Sequence, residues 1–326
     1  VFKEKLPGLT AAAIVAIAAA FLSEHYGASA MLFALLLGMS VNFLGVEGKC
    51  VPGIQFAASA VLRFAIALLG LRITFGEIAA LGTTTALIVV AGVVLTILFG
   101  AIAVRFTHAH RSFGLLTGGA VAICGASAAL AISAVLPKHP NRERDTSFTV
   151  IGVTTLSTIA MVLYPLVVKS LGFDHREAGI FLGGTIHDVA QVVGAGYGIG
   201  KEAGDAATIV KLLRVAMLLP VIVVFSLLLH LKRDALAGPR PPLLPWFAVG
   251  FAALVVVNSL VSLPKPLLSF AGDCSRWALV MAIAAIGMKT SLKELVVLGW
   301  RPVALMVAET LFLAGIIIGM MKFFAV

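Results

Sequence analysis

Residues 86–104 read ALIVVAGVVLTILFGAIAV and residues 9–22 read LTAAAIVAIAAAFL. Neither stretch carries a charge, and both are apolar on every face. The strands of an outer-membrane barrel alternate apolar and polar residues with a period of two, which these do not. As a helix, 86–104 is about 28 Å long, close to the hydrocarbon thickness of a bilayer.

Comparable segments recur near 6–23, 28–45, 53–71, 83–104, 112–136, 147–169, 177–199, 206–230, 243–262, 267–288 and 300–321. Short charged or turn-rich breaks separate them: SEHYG, GVEGKCVPG, RFTHAHR, PKHPNRERD, GFDHRE, KRDALAGPRPP and LPKP. Only 12% of the 326 residues are charged, against about 25% in ordinary soluble domains. The mean hydropathy is +1.09. The prediction is an all-α polytopic membrane protein with about 9–11 transmembrane segments, forming a single transmembrane domain over 1–326. Lys3 and Lys5 followed by Ala28-Ser29-Ala30 have the form of a signal peptide. Everything downstream is equally apolar, so the first run is read as a span.

Net charge is +9, but the basic residues gather between apolar runs. That pattern orients a protein in a membrane and does not suggest nucleic acid as a partner. Cys50, Cys124 and Cys274 are far apart, which argues against a disulfide framework or a zinc site. No cofactor, metal or catalytic residue is expected. Cys124 has no neighbouring base, and G-x-x-x-x-G-K-[ST] is absent, so neither a thiol enzyme nor a primary pump is expected.

Two segments differ from plain spans: TGGAVAICGASAA (117–129) and GGTIHDVAQVVGAGYG (183–198). Glycine pairs and polar residues in mid-segment predict broken or re-entrant helices, since non-helical backbone at membrane depth survives only where protein or a cavity surrounds it. Tight packing of small residues is the alternative. If both segments re-enter, the basic loops at 3–5, 49, 105–111, 138–144, 232–240 and 289–301 share one side. The positive-inside rule then puts the N-terminus in the cytoplasm. If both cross fully, the 138–144 loop changes sides and the bias weakens.

An internal repeat relates GLRITFGEIAALG (70–82) to GMKTSLKELVVLG (287–299). Each copy has a capping-box spacing, Thr74 with Glu77 and Ser291 with Glu294. Each follows a span containing an arginine, Arg63 or Arg276. An odd number of crossings lies between the copies, predicting an inverted repeat around 53–104 and 267–321 of the kind found in secondary transporters.

Ionisable residues at membrane depth point to function. Asp188 precedes Gln191 by three, so a half-helix starting near Asp188 would turn its N–H groups toward an anion. Gly184 and Thr185 are expected to receive anion oxygens, and His187 or Asp188 to couple a proton. Lys211 and Arg214 share a helix face. They are read either as snorkelling to the interface or as a cationic wall, with Arg63 and Arg276 adding charge. Gly119, Cys124, Gly125 and Ser127 are expected to line the same site. Glu309 is read as an arginine partner or a proton site.

The motifs GGAVAICGASAALA, GGTIHDVAQVVGAG and ATIVKLLRVAMLLP, with GLRITFGEIAALG and its late echo, resemble the YeiH-type sulfate-exporter family over essentially the whole chain. The resemblance implies a bacterial inner-membrane, multi-pass carrier exporting sulfate or a related sulfur oxyanion. By looser analogy the arrangement is similar to sodium/proton antiporters and bile-acid symporters. That implies alternating access, coupling to H+ or Na+, and a homodimer. The other classes left open are an anion channel and an anion-binding membrane protein that transports nothing.

Overall fold

The computed structural model describes residues 2–26, 30–107, 110–137, 141–228, 246–261, 263–290 and 300–326. Among the described residues the secondary structure is helical, without strands. Among the described residues seven helices are long and apolar enough to cross a membrane: α1 (Phe2–Tyr26), α3 (Val51–Arg72), α4 (Gly82–Phe106), α7 (Arg142–Leu171), α10 (Lys201–Leu227), α12 (Lys265–Lys289) and α13 (Trp300–Phe324). Two broken pairs accompany them, α5 (Arg111–Ala122) with α6 (Ala126–Val135), and α8 (His175–Thr185) with α9 (Val189–Ile199). With the shorter α2 (Ala30–Ser40) and α11 (Trp246–Leu260), the elements agree with the expected nine to eleven segments.

The helices form two compact units. The first comprises Val1–Leu81, Val193–Asp205 and Pro245–Ser291; the second comprises Gly82–Val192, Ala206–Leu244 and Leu292–Val326. In the first unit α3 and α12 pack side by side. The Ser275 hydroxyl donates to the Ala65 carbonyl oxygen at 2.9 Å, Gly272 lies near the Arg72 side chain, and Ala57 and Ile54 share a core with Ala285 and Met288. As the number rises along α3 it falls along α12, so the pair is antiparallel.

The second unit repeats this with α4 and α13. Gly92 faces Ile317, the rings of Phe99 and Phe312 stack at 4.2 Å, Gly100 faces Glu309, and Val104 packs on Leu305. These helices are the ones the internal repeat equates, α3 with α12 and α4 with α13. Each repeat therefore places one helix in each unit, beside its inverted counterpart. The Thr74–Glu77 capping box forms, with Glu77 Oε2 accepting from the Thr74 N–H at 2.8 Å. Its counterpart Ser291–Glu294 lies outside the described residues, as do Ala28-Ser29 and the loop residues 232–240.

Candidate functional site

The first break spans Ile123–Gly125. Gly125 has φ +64° and ψ −123°, a conformation that a Cβ would strain. Beyond it the chain folds back. A Cβ on Gly119 would collide with the Ile132 side chain, although thirteen residues separate the two positions. Run end to end as helix, they would stand about 20 Å apart. The second break spans Ile186–Asp188, and its His187 Cβ lies against Gly125. The two breaks are therefore neighbours inside the second unit.

Two helices thus end at the same place, and the last carbonyls of a helix have no intrahelical donor. Lys211 and Arg214 of α10, 0% and 1% exposed, supply the donors. Lys211 Nζ donates to Ile123 O at 2.7 Å, to Ile186 O at 3.0 Å and to His187 O. Arg214 donates through Nε to Ala122 O at 2.8 Å and through Nη2 to Val121 O at 2.8 Å. Its Nη1 donates to Gly183 O at 3.0 Å and to Ile186 O at 2.9 Å. All seven hydrogen bonds go to backbone, split between α5 and α8. Neither side chain snorkels; both brace helix C-termini, whose dipole ends favour a cation.

His187, 0% exposed, faces the Val121 carbonyl oxygen through Nδ1 at 3.2 Å and the Thr310 hydroxyl through Nε2 at 2.9 Å. It ties the second break to α5 and α13. Asp188 is half-buried at the start of α9, its backbone N–H donating to Ser157 Oγ at 2.9 Å. The expected return bond from Gln191 to Asp188 is thus replaced by Ser157. Gln191 Nε2 turns instead toward Thr158 Oγ1 at 3.4 Å.

The expectation for Gly184 and Thr185 is corrected by helix polarity. Both lie at the C-terminal end of α8, which presents carbonyls, and the Thr185 hydroxyl donates to Phe181 O at 2.6 Å. N–H groups are presented by the start of α9, just after Asp188 as expected, and by the start of α6. The latter begins after Gly125 with no side-chain cap, and Ser127 in its first turn is exposed. Cys124 is buried beside it. Arg63 and Arg276 both belong to the first unit, with exposed side chains. The expectation that they are hidden in their spans fails, since both side chains are exposed.

Glu309 is 0% exposed. Its Oε1 accepts from the Thr117 hydroxyl at 2.8 Å, and its Oε2 has no hydrogen-bond partner among the described residues. No arginine pairs with it there. Thr117, Ser157 and Thr310 escape the sequence reading; the available signal is a hydroxyl within an otherwise apolar helix. No group of three or more His, Cys, Asp or Glu side chains suited to a metal occurs among the described residues.

Residues 7–306 match the family described as Conserved hypothetical protein 698. The chain is 55% identical to the UPF0324 membrane protein CT0845 of Chlorobaculum tepidum, over 98% of this chain and 89% of that one. It is 56% identical to the UPF0324 membrane protein TauZ of Paracoccus pantotrophus, over 96% of this chain and 93% of that one. A UPF0324 membrane protein of Rhizobium meliloti, RB0971, is 52% identical over 97% of this chain and 92% of its own length. No solved structure matches significantly.

Proposed function

The chain belongs to the family of UPF0324 membrane proteins described as Conserved hypothetical protein 698, and from that premise we propose a secondary transporter for a small anion, working by alternating access. One observation carries the reading. Two adjacent helix breaks leave the α6 N-terminus uncapped at Gly125–Ser127, while Lys211 and Arg214 occupy the opposing C-terminal carbonyls. A helix end carries about half an elementary charge. Counting four helix ends, two cations and Asp188, the region keeps a surplus of about one positive charge. Broken helices of this kind serve anion recognition in secondary transporters.

In this reading the first turn of α6 receives the anion through the Ala126 and Ser127 N–H groups and the Ser127 hydroxyl, the Gly125 N–H already donating to the Ala120 carbonyl oxygen. Lys211 and Arg214 act at one remove, holding the breaks open and supplying the field. Sulfate or a related sulfur oxyanion is the proposed cargo, exported across a bacterial inner membrane by a homodimer with a cytoplasmic N-terminus. Coupling is assigned to H+ or Na+, with Asp188 and Glu309 as the carboxyl groups available to it.

The test is sulfate and sulfite flux in proteoliposomes, with pH or sodium gradients imposed separately, on wild type and Ser127→Asp. The aspartate places a tethered anion at the helix N-terminus, where it competes with substrate yet favours the helix. Gradient-driven flux abolished in a folded S127D protein supports the carrier. Flux that ignores every countergradient favours a channel, and binding without flux favours a non-transporting anion binder.

A further inference from the structure

The first unit contains a cavity of about 310 Å³ whose wall includes Ser23, Met31, Arg72, Tyr197, Lys201 and Arg276. It is built where α1 and α3 end, where α2 begins, at the turn from α9 into α10, and along α12. Three cations from three separate segments face one space. We propose that this cavity is an oxyanion-binding site, separate from the helix breaks and independent of whether the protein transports.

The charges decide the sign. Lys201 Nζ lies 3.2 Å from Asp205 Oδ2, and the Tyr197 hydroxyl donates to Asp205 Oδ1, so this carboxylate is engaged at both oxygens. The Arg72 guanidinium sits over the Tyr197 ring at 5.4 Å, a contact that fixes its direction. Arg276 makes no hydrogen bond or ion pair with any described residue, yet it lies eleven residues into the 25-residue α12. An unpartnered arginine within an apolar helix, facing a cavity that two further cations line, marks a ligand or ion pathway.

Three cations and one carboxylate leave two positive charges in the wall. Glu24, Glu202 and Asp273, the acidic neighbours in sequence, are not part of the lining. A doubly charged oxyanion with several acceptor oxygens matches this, and arginine forks suit such oxygens. The shared chemistry is a sulfate-like or phosphate-like group, supplied either by a free ion or by a phospholipid headgroup.

The experiment measures equilibrium binding of radiolabelled sulfate to purified, delipidated protein in the S127D background, which removes the proposed break site. The same samples are assayed for retained phospholipid before delipidation. Sulfate binding that survives S127D, weakens at least tenfold on Arg276→Gln and returns largely with Arg276→Lys assigns a free-ion site. Retained anionic phospholipid, lost in R276Q without sulfate binding, assigns the headgroup source. If R276Q does not fold, Arg72→Gln takes its place. Sulfate binding and lipid content both unchanged by these substitutions would overturn the proposal. Binding lost in R276Q but untouched by S127D would leave this site standing and remove the break site.

Discussion

The Lys211 ammonium lies 2.7 Å from the carbonyl oxygen of Ile123, the residue at which α5 stops. The same ammonium donates to Ile186 and His187, where α8 stops. One side chain thus joins two interrupted helices that are distant in sequence, and Arg214 repeats the arrangement one turn away. A cation in this position serves the protein's own backbone first, and any substrate through the geometry it maintains.

Replacing Arg214 by Met leaves up to four carbonyl contacts unmade. Each orphaned buried acceptor costs about 1–3 kcal/mol, less where another donor remains. The expected outcome is a loss of several kcal/mol, read as a lowered thermal unfolding temperature by tryptophan fluorescence. Arg214→Lys should recover only part, because an ammonium lacks the planar fork that reaches both breaks. A melting temperature equal to wild type in R214M would contradict the bracing role.

Gly125→Ala tests the first break. With φ at +64° and ψ at −123°, a Cβ introduces strain of about 1–3 kcal/mol. We expect measurable destabilisation, and flux lost even where folded protein is recovered. An alanine variant as stable and active as wild type would mean the break has another geometry.

Glu309 separates structure from coupling. Glu309→Gln keeps an acceptor for the Thr117 hydroxyl, so the fold should survive. It removes an ionisable group from a site that contains no cationic partner among the described residues. If protons are coupled there, E309Q loses the response of flux to an imposed pH gradient while retaining anion binding. A pH response equal to wild type would assign coupling elsewhere, with Asp188 the next candidate.

The inverted pairing makes a crosslinking prediction. Val104 and Leu305 share a small buried cluster at one end of the α4–α13 pair. Cysteines at both positions, in a background lacking the native three, should form an oxidant-dependent crosslink. Val104 paired with a cysteine at Ile317 should not, because Ile317 lies beside Gly92, more than three helical turns away. Crosslinking in the second pair but not the first would reverse the helix direction.

The membrane class, the number of segments and the inverted repeat are legible in the sequence because they rest on long apolar runs and a matched motif. Both helix breaks are legible too, since paired glycines and polar residues interrupt those runs. At the second break the helix start after Asp188 is legible from the Asp188–Gln191 spacing, but the polarity of the end that Gly184 and Thr185 belong to is not. GGTIHD reads equally as the end of one helix or the start of the next, and only the structure puts Gly183–Thr185 at a C-terminus. The partners of Lys211 and Arg214 are hidden for a related reason: backbone carbonyls leave no trace in residue type. Arg63 and Arg276 share the look of the buried cations in sequence, yet they face other surroundings, because a helix face is chosen by packing between segments far apart in the chain.

We propose that an anion enters at the uncapped α6 N-terminus. The most direct test is sulfate and sulfite flux under an imposed gradient, comparing wild type with S127D. Gradient-dependent flux is expected in wild type and none in a folded S127D protein. Wild-type flux left intact by the aspartate would contradict it.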